Sequence, residues 1–529
     1  MPGGVKTTTS THHGRGVAEF LAKHGNDVTG VISGFDRLRL QGTLRQMYCP
    51  ELMSEYLARA GVLYKDFKSH VTAVTARIRG AAETLAHASG RPVHYLRNTA
   101  IRKEALAAEI RRRDHIEEGL IAVFSAVEPC RTWFMRGDRE HRTLELRLQW
   151  GKCIHLYFYL VHPQLGLMHL RLQTWFPFLV HVCLNGREWL ARQLAQAGIA
   201  YTRADNCLPH VADVAAAQAL LDQQVRTRWD RVLDPLIAQF HPTHRELHQI
   251  MPLDYYWTVA QSEYATDVMF RDRAALQRIY PTLVHHSMMS FGAEQVLRFL
   301  GRKQIGSAVD VKTDRRRGAE GVRVKHWLNR NSLKFYDKGS VLRDEVTINE
   351  PADFRVWRRP EGRPDAPKAW RELRRSVVDL PRRAEIGRAA TDRHLGALAA
   401  AHHGESLQVS TVTVCRPVAR KGRRHRALNP FAPGDAALLA AVNHGEFALN
   451  GLRNADLRAI LYPAIPAGLT KRQLACRVSR QLALLRAHGL IARVPRTRRY
   501  VVTKKGRTVI TALLAAAQAD IQQLTKLAA

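Results

Sequence analysis

Thr470 to His488 reads TKRQLACRVSRQLALLRAH and places Leu474, Val478, Leu482 and Leu485 at i, i+4, i+8 and i+11. That spacing predicts one apolar stripe on an amphipathic helix. Gly489 then stops it. At about 100° per residue, the opposite face holds Arg472, Ser479, Arg480 and Ala483, flanked by Gln473 and Arg486. These are side chains that bond phosphates and base edges. Leu490-Ile-Ala-Arg-Val, an Arg-rich tip (Arg496, Arg498, Arg499) and Tyr500-Val-Val-Thr follow, and read as a two-stranded ribbon with its charge at the tip. Upstream, Ala436 to Val442 and Arg453 to Leu461 read as two short helices, and Thr508 to Leu524 as a long closing helix.

The chain around this stretch has 529 residues, room for roughly two to four domains of ordinary size. A hydrophobic share of 46% is enough for sizeable cores. With 81 Lys+Arg against 47 Asp+Glu the net charge is +34 and the pI about 10.5. Such a surplus favours a polyanion through counterion release and long-range steering, nucleic acid first and an acidic membrane second. No uninterrupted apolar run, lipidation motif or signal peptide supports the membrane, so a cytoplasmic, nucleoid-associated protein is expected. Seven scattered cysteines without a CxxC pair argue against a disulfide framework and a zinc ribbon.

Taken in order, residues 1–16 are Gly/Thr-rich and expected to be disordered. Val28 to Leu44 is β-rich, its Ser33-Gly34 break marking a hairpin or a bent strand. Asp36 just after the break is either a turn residue or an acid placed to hold a metal. Runs at Gly119–Val127, Thr143–Gln149, Cys153–His162, Leu167–Trp175 and Phe178–Leu184, joined by short turns, predict an antiparallel meander of about five strands. Its polar side, with Tyr157, Tyr159, His169 and Arg171, is either covered by helices or open to stack bases. Cys153, His155, His169, His181 and Cys183 on these strands match no standard metal spacing, and His241, His244 and His248 are not in the H-E-x-x-H order. Asp254 to Phe270 reads as a helix with Glu263 and Asp267 at i, i+4. Trp370 to Ala400 reads as a helix loaded with arginine, Arg374 and Arg375 among them, for which a polyanion is the natural neutraliser. No repeat or coiled coil is visible.

Val309 to Asn349 carries the best case for chemistry. Ser332 to Lys338 and Val341 to Asn349 alternate about a Gly339-Ser340 turn, so Lys334, Tyr336 and Lys338 share one face and Arg343, Glu345 and Thr347 another. If both apolar sets face the core, the polar sets converge. Glu345 and Asp310 would then hold Mg²⁺ or Mn²⁺, Lys338 neutralise phosphate, and Tyr336 position or attack it. Exposed cross-strand ion pairs are the plainer alternative.

Helix, helix, helix, basic ribbon, helix, above all RQLALLRAHGLIARVPRTRRYVVTKKGR (480–507), resembles the winged-helix module of MarR-like DNA-binding proteins. By that resemblance the third helix enters the major groove and the ribbon follows the backbone or minor groove. The run FYDKGSVLRDEVTI (335–348) resembles the Y-D-K…R-x-E strand pair of rolling-circle replication initiators of plasmids and filamentous phages, which implies a catalytic role for Glu345. The His-hydrophobic-His motif of the wider nickase superfamily is absent. The expected architecture is α+β: a two-unit antiparallel-sheet body (17–250 and 251–400), a basic linker (401–434) and a winged helix (435–529). The expected function is DNA binding through Arg472, Gln473, Ser479, Arg480, Arg486, Arg496, Arg498 and Arg499, with Arg374 and Arg375 on the body. The alternative is a metal-dependent nicking or strand-transfer enzyme of a mobile element. The body's preference between single-stranded DNA and RNA, and a homodimer, stay open.

Overall fold

Ser33-Gly34 does not end a strand. In the computed structural model Val28–Leu44 runs unbroken as β1, bent by register shifts at Phe35/Arg37 and Arg39/Leu40. Each shift leaves an extra residue unpaired, which bends a strand without stopping it. Gly34 answers a need for space, because a Cβ there would stand 2.7 Å from Leu221 Cδ2. The structure describes residues 14–519 apart from 99, 139, 141–142, 303–309, 319–320, 361, 364, 402–410, 421, 445–446, 448–450 and 496. It falls into two units, 1–401 and 402–529.

In the first unit β1 is followed by the helices Pro50–Arg59 and Phe67–Ala88, by β2 (Val93–Tyr95), and by a meander of β3 (Gly119–Asp138), β4 (Thr143–His162), β5 (Gly166–Gln173) and β6 (Val180–Asn185). A small hairpin, β7 (Tyr201–Ala204) and β8 (Cys207–Val211), comes next. β9 (Tyr255–Phe270) then opens a second set, with the helices Arg273–Ser290 and Ala293–Phe299 and a meander of β10 (Val311–Gly318), β11 (Gly321–Leu328), β12 (Asn331–Asp337) and β13 (Val341–Ile348). The sheet has eleven strands in the order β10-β11-β12-β13-β9-β1-β6-β5-β4-β3-β2. Each set's opening strand pairs with its own closing strand, β1 with β6 and β9 with β13, and the two opening strands pair antiparallel at the centre. One connectivity therefore occurs twice, though no sequence repeat announces it.

The α+β class holds, and several expectations about its elements are corrected. The body is not divided at residue 250, since β1 and β9 pair from Val28/Phe270 to Leu44/Tyr255 and weld both sets into one sheet. The meander has four strands because Thr143–Gln149 and Cys153–His162 are both parts of β4. Asp254 to Phe270 is not helical; i and i+4 share a face in a strand as well as in a helix, and Tyr255-Tyr256-Trp257-Thr258-Val259 is β-prone. Of Trp370 to Ala400 only Leu380–Ala399 is α-helix, preceded by a 3-10 turn at Val377–Asp379, and Ala369–Glu372 is a strand, β15, paired with β14 (Arg355–Arg358). Residues 1–13 of the expected tail lie outside the described residues, while Arg15 and Gly16 begin the helix Arg15–His24, whose Phe20 is buried.

Helices cover the apolar faces. Met53, Tyr56, Val71, Val74 and Ile78 share one core with Leu156, Phe158, Leu170 and Val182. Leu276, Leu283 and Leu395 share another with Val268, Phe335 and Leu342. Each such side chain contributes about 1.5–3 kcal/mol on burial.

The second unit runs Pro433–Val442, Asn454–Leu461, Lys471–Ala487, the strands Ile491–Arg493 and Tyr500–Val502 as an antiparallel pair, and Lys504–Gln518. Leu452 bridges Tyr500 and adds a third short strand segment. Thr470 caps its helix reciprocally with Gln473. The core of Leu438, Leu457, Leu482, Leu485 and Ile510 also takes in Val414 and Leu428, and Arg426 grips Asp435 at 2.7 and 2.6 Å. Residues 411–434 are thus part of this unit rather than a linker, and 402–410 and Lys421 lie outside the described residues.

Candidate functional site

Directly opposite residues of antiparallel strands share a face, so the registers assemble three rows on one side of the sheet. Asp314, Lys325, Lys334, Glu345, Ala265 and Gly34 form one, across β10, β11, β12, β13, β9 and β1. Arg316, Arg323, Tyr336, Arg343, Asp267 and Ile32 form the second, and Lys312, Trp327, Ser332, Thr347, Glu263 and Arg37 the third. The alternation expected for β12 and β13 holds. The cations are exposed on β10 and half-buried on β11, while Arg343 and Glu345 on β13 and Asp267 on β9 are buried and Glu263 on β9 is half-buried.

Arg343 lies at the middle, fully buried. It donates to both Asp267 oxygens (2.7 and 2.9 Å), to Asp36 Oδ1 (2.9 Å) and to the Asn206 carbonyl (2.7 Å). Arg187, one residue into the helix after β6, donates to Asp267 Oδ2 (2.9 Å) and the Ala265 carbonyl (3.2 Å). Asn206, in the turn between β7 and β8, donates to Asp36 at 3.1 Å. Burial pushes the Asp267 carboxyl up, but Arg187 and Arg343 outweigh it and hold the group below its ordinary value. Asp36 has less compensation: burial dominates, Arg343 opposes, and its carboxyl is raised.

Glu345 is next to this network and equally buried. The Tyr336 hydroxyl donates to its Oε2 at 2.9 Å, and Lys334 Nζ stands 2.7 Å from its Oε1. Asp36, Glu263 and Glu345 each bring an oxygen within 4.8 Å of the others. Oxygens at that spacing can share one divalent cation. The ammonium of Lys334 and the guanidinium of Arg343 now neutralise two of the three, so a metal ion would have to displace Lys334. Burial, then the Glu345 charge, raises the Glu263 carboxyl to about 7. Burial, then Glu345, also raises the Tyr336 phenol well above its usual range, which makes it a hydrogen-bond donor that positions Glu345 and a poor nucleophile.

Glu263 gives a direct test. A carboxyl whose folded pKa exceeds its unfolded value of about 4.3 adds stability below that value, and loses it as pH rises through the folded pKa. Glu263→Gln should therefore match the parent near pH 4 and exceed it near pH 8, by on the order of 3 kcal/mol in urea unfolding. Equal midpoints at both pH values would contradict the raised carboxyl.

Other expected site residues are elsewhere. Asp310 is exposed before β10, its amide bonded to Asn329 Oδ1 at 3.1 Å, three strands from β13 and four residues along from the Asp314 row. It does not meet Glu345; Asp36 and Glu263 do. Lys338 Nζ pairs with Asp205 at 2.9 Å and not with Glu345. Arg374 pairs with Asp379 and Arg375 with Glu350, both at 2.9 Å. Arg383 is buried on Ser262 and the Val259 carbonyl, Arg388 pairs with Asp222, and Arg393 donates to the Phe299 carbonyl. That arginine run is thus largely satisfied within the fold. Cys153 and His155 gather with Cys130, Sγ to Sγ 3.3 Å, whereas His169 and Cys183 oppose each other on β5 and β6.

On the helix Lys471–Ala487, Arg472 and Arg480 are exposed as expected, with Lys471 and Arg477, which the reading of the opposite face alone passed over. Gln473 serves the cap, Ser479 accepts from Asn454 at 3.0 Å, and Arg486 is half-buried with its guanidinium 5.8 Å from the Tyr500 ring centre. Arg498 is exposed and Arg499 half-buried on the ribbon, and Arg496 lies outside the described residues. No helix among the described residues is long and apolar enough to cross a membrane. No family model, curated protein or solved structure matches the chain.

Proposed function

We propose that this is a DNA-binding protein in which residues 433–518 act as a winged helix and the helix Lys471–Ala487 enters the major groove. The observation that carries the reading is the solvent face of that helix. Arg472, Arg477 and Arg480 are exposed on it, Lys471 is exposed at the helix's first position, and the seventeen residues include no acid. Arg498 on the following ribbon extends the same charge. Phosphates neutralised by such side chains release counterions, so affinity falls steeply with salt. The full chain should retard labelled duplex DNA at low ionic strength and lose it progressively as salt rises. If no duplex is retarded at low ionic strength, the reading fails.

The convergence of Asp36, Glu263 and Glu345 within 4.8 Å favours a second reading: metal-dependent nicking or strand transfer, as in the replication initiators and transposases of mobile elements. These three carboxylates would hold Mg²⁺ or Mn²⁺, with Lys334 and Arg37 beside them to meet phosphate. Single- and double-stranded DNA incubated with either ion should be cut by the parent chain and not by Glu345→Gln. Intact DNA under every condition retires this reading and leaves the first untouched.

A further inference from the structure

Trp357 and Trp370 oppose each other across β14 and β15, ring centroids 5.6 Å apart and planes at 62°. They are 53% and 65% exposed. The ribbon does not need them for anchorage, because Val356, facing the other way, is buried with Phe354, Leu328 and Leu373. Two large rings held open on a supported ribbon are surface made for contact.

The charge around them is one-sided. Arg355 shares the tryptophans' face of the ribbon and Arg358 and Arg371 the other face, and the three side chains meet at a hollow of about 370 Å³ beside Trp370, Pro360 and Glu372. Arg358 donates to the carbonyls of Glu372 (3.3 and 3.0 Å) and Arg359 (3.1 Å), which fix the guanidinium without neutralising it. Arg371 Nε is buried without a hydrogen-bond partner. Glu372 is the acid in the hollow, 3.6 Å from Arg355. Burial and then the neighbouring Arg374 pull Arg358 below its ordinary value, against the opposing charge of Asp379 and with Arg371 and Arg382 adding to the crowding. Arg358 and Arg371 pair with no carboxylate among the described residues, and cations so placed beside open aromatic faces suit an anion that also carries flat groups. In a duplex those flat faces are hidden by stacking, whereas in a single strand each base has one free.

We infer that the β14–β15 ribbon binds single-stranded DNA, bases stacking on Trp357 and Trp370 and phosphates meeting Arg355, Arg358 and Arg371. This rests on the reading of the protein as DNA-binding but lies on the first unit, so the two can fail separately. The test is fluorescence anisotropy of the full chain with a labelled mixed-sequence single strand, its duplex and the RNA of the same sequence. Trp357→Ala and Trp370→Ala should each weaken single-stranded DNA binding by about 10-fold, the usual scale for a lost base stack. Trp→Phe at either position should restore most of it, and duplex affinity should stay unchanged. Both rings are exposed, so unaltered thermal unfolding is expected and is measured alongside. The inference is overturned if the double alanine variant holds the single strand as tightly as the parent, if duplex binding falls in step, or if the parent takes the RNA and not the DNA. Duplex binding that persists while the tryptophans prove inert sinks this inference and spares the winged helix.

Discussion

Arg343→Met loses about 3–5 kcal/mol of folding stability, the scale for removing one partner of a buried ion network. Domains have only about 5–15 kcal/mol to lose. The reason is local. Without the guanidinium, Asp267 keeps Arg187 as a partner, but Asp36 keeps only the amide of Asn206 at 3.1 Å and Arg187 at 4.0 Å. A wholly buried carboxylate in that position must stay ionised and underpaired or take up a proton. Arg343 also ties β13 to β9, to β1 and to the turn between β7 and β8. Its loss should therefore shift the denaturant midpoint of the whole sheet and not merely fray one edge. Arg298→Met, which breaks an exposed pair with Glu294 at 3.7 Å, is the comparison and should leave the midpoint in place. A double-mutant cycle with Asp267→Asn isolates the coupling, since neighbours in one network are non-additive. If Arg343→Met and Arg298→Met behave alike, the network does not hold the two sets of strands together.

What was legible in the sequence was whatever depends on a local period. Alternation placed Lys334, Tyr336, Arg343 and Glu345 on one face, and the 3.6-residue stripe of Leu474, Val478, Leu482 and Leu485 placed Arg472 and Arg480 in solvent. Register was not legible. Arg343 meets Asp36 across 307 positions of chain, and nothing local to VISGFDRLRL says that its aspartate will face a strand so remote. The same limit explains why Asp310 does not partner Glu345: nearness in sequence is not nearness in space, and two strands, β11 and β12, lie between β10, which Asp310 precedes, and β13. Glu263 and Asp267 pair by spacing whichever element carries them, because residues four apart share a face in a helix and in a strand alike. The doubled connectivity left no trace because it is a property of hydrogen-bond order, which different side chains can satisfy equally well.

Arg472→Glu with Arg480→Glu weakens duplex binding by about 100-fold or more at moderate salt, if the helix Lys471–Ala487 is the groove-facing element. Each lost phosphate contact should lower the slope of log affinity against log salt by about 0.9, so about two units in all. Reversal adds repulsion from the same phosphates, which truncation to alanine would not. Both side chains are exposed and the apolar stripe beneath them is unchanged, so unfolding should not shift. Bulk charge is the rival explanation, since a chain of net +34 would hold DNA loosely through any basic surface. Arg112→Glu with Arg298→Glu, exposed on the first unit, makes the same change in net charge without touching that helix. A local effect predicts a large loss and a flatter salt dependence for the first pair, with little change for the second. Equal losses from both pairs would mean that DNA is held by overall charge, and the helix Lys471–Ala487 would then have no claim to reading a groove.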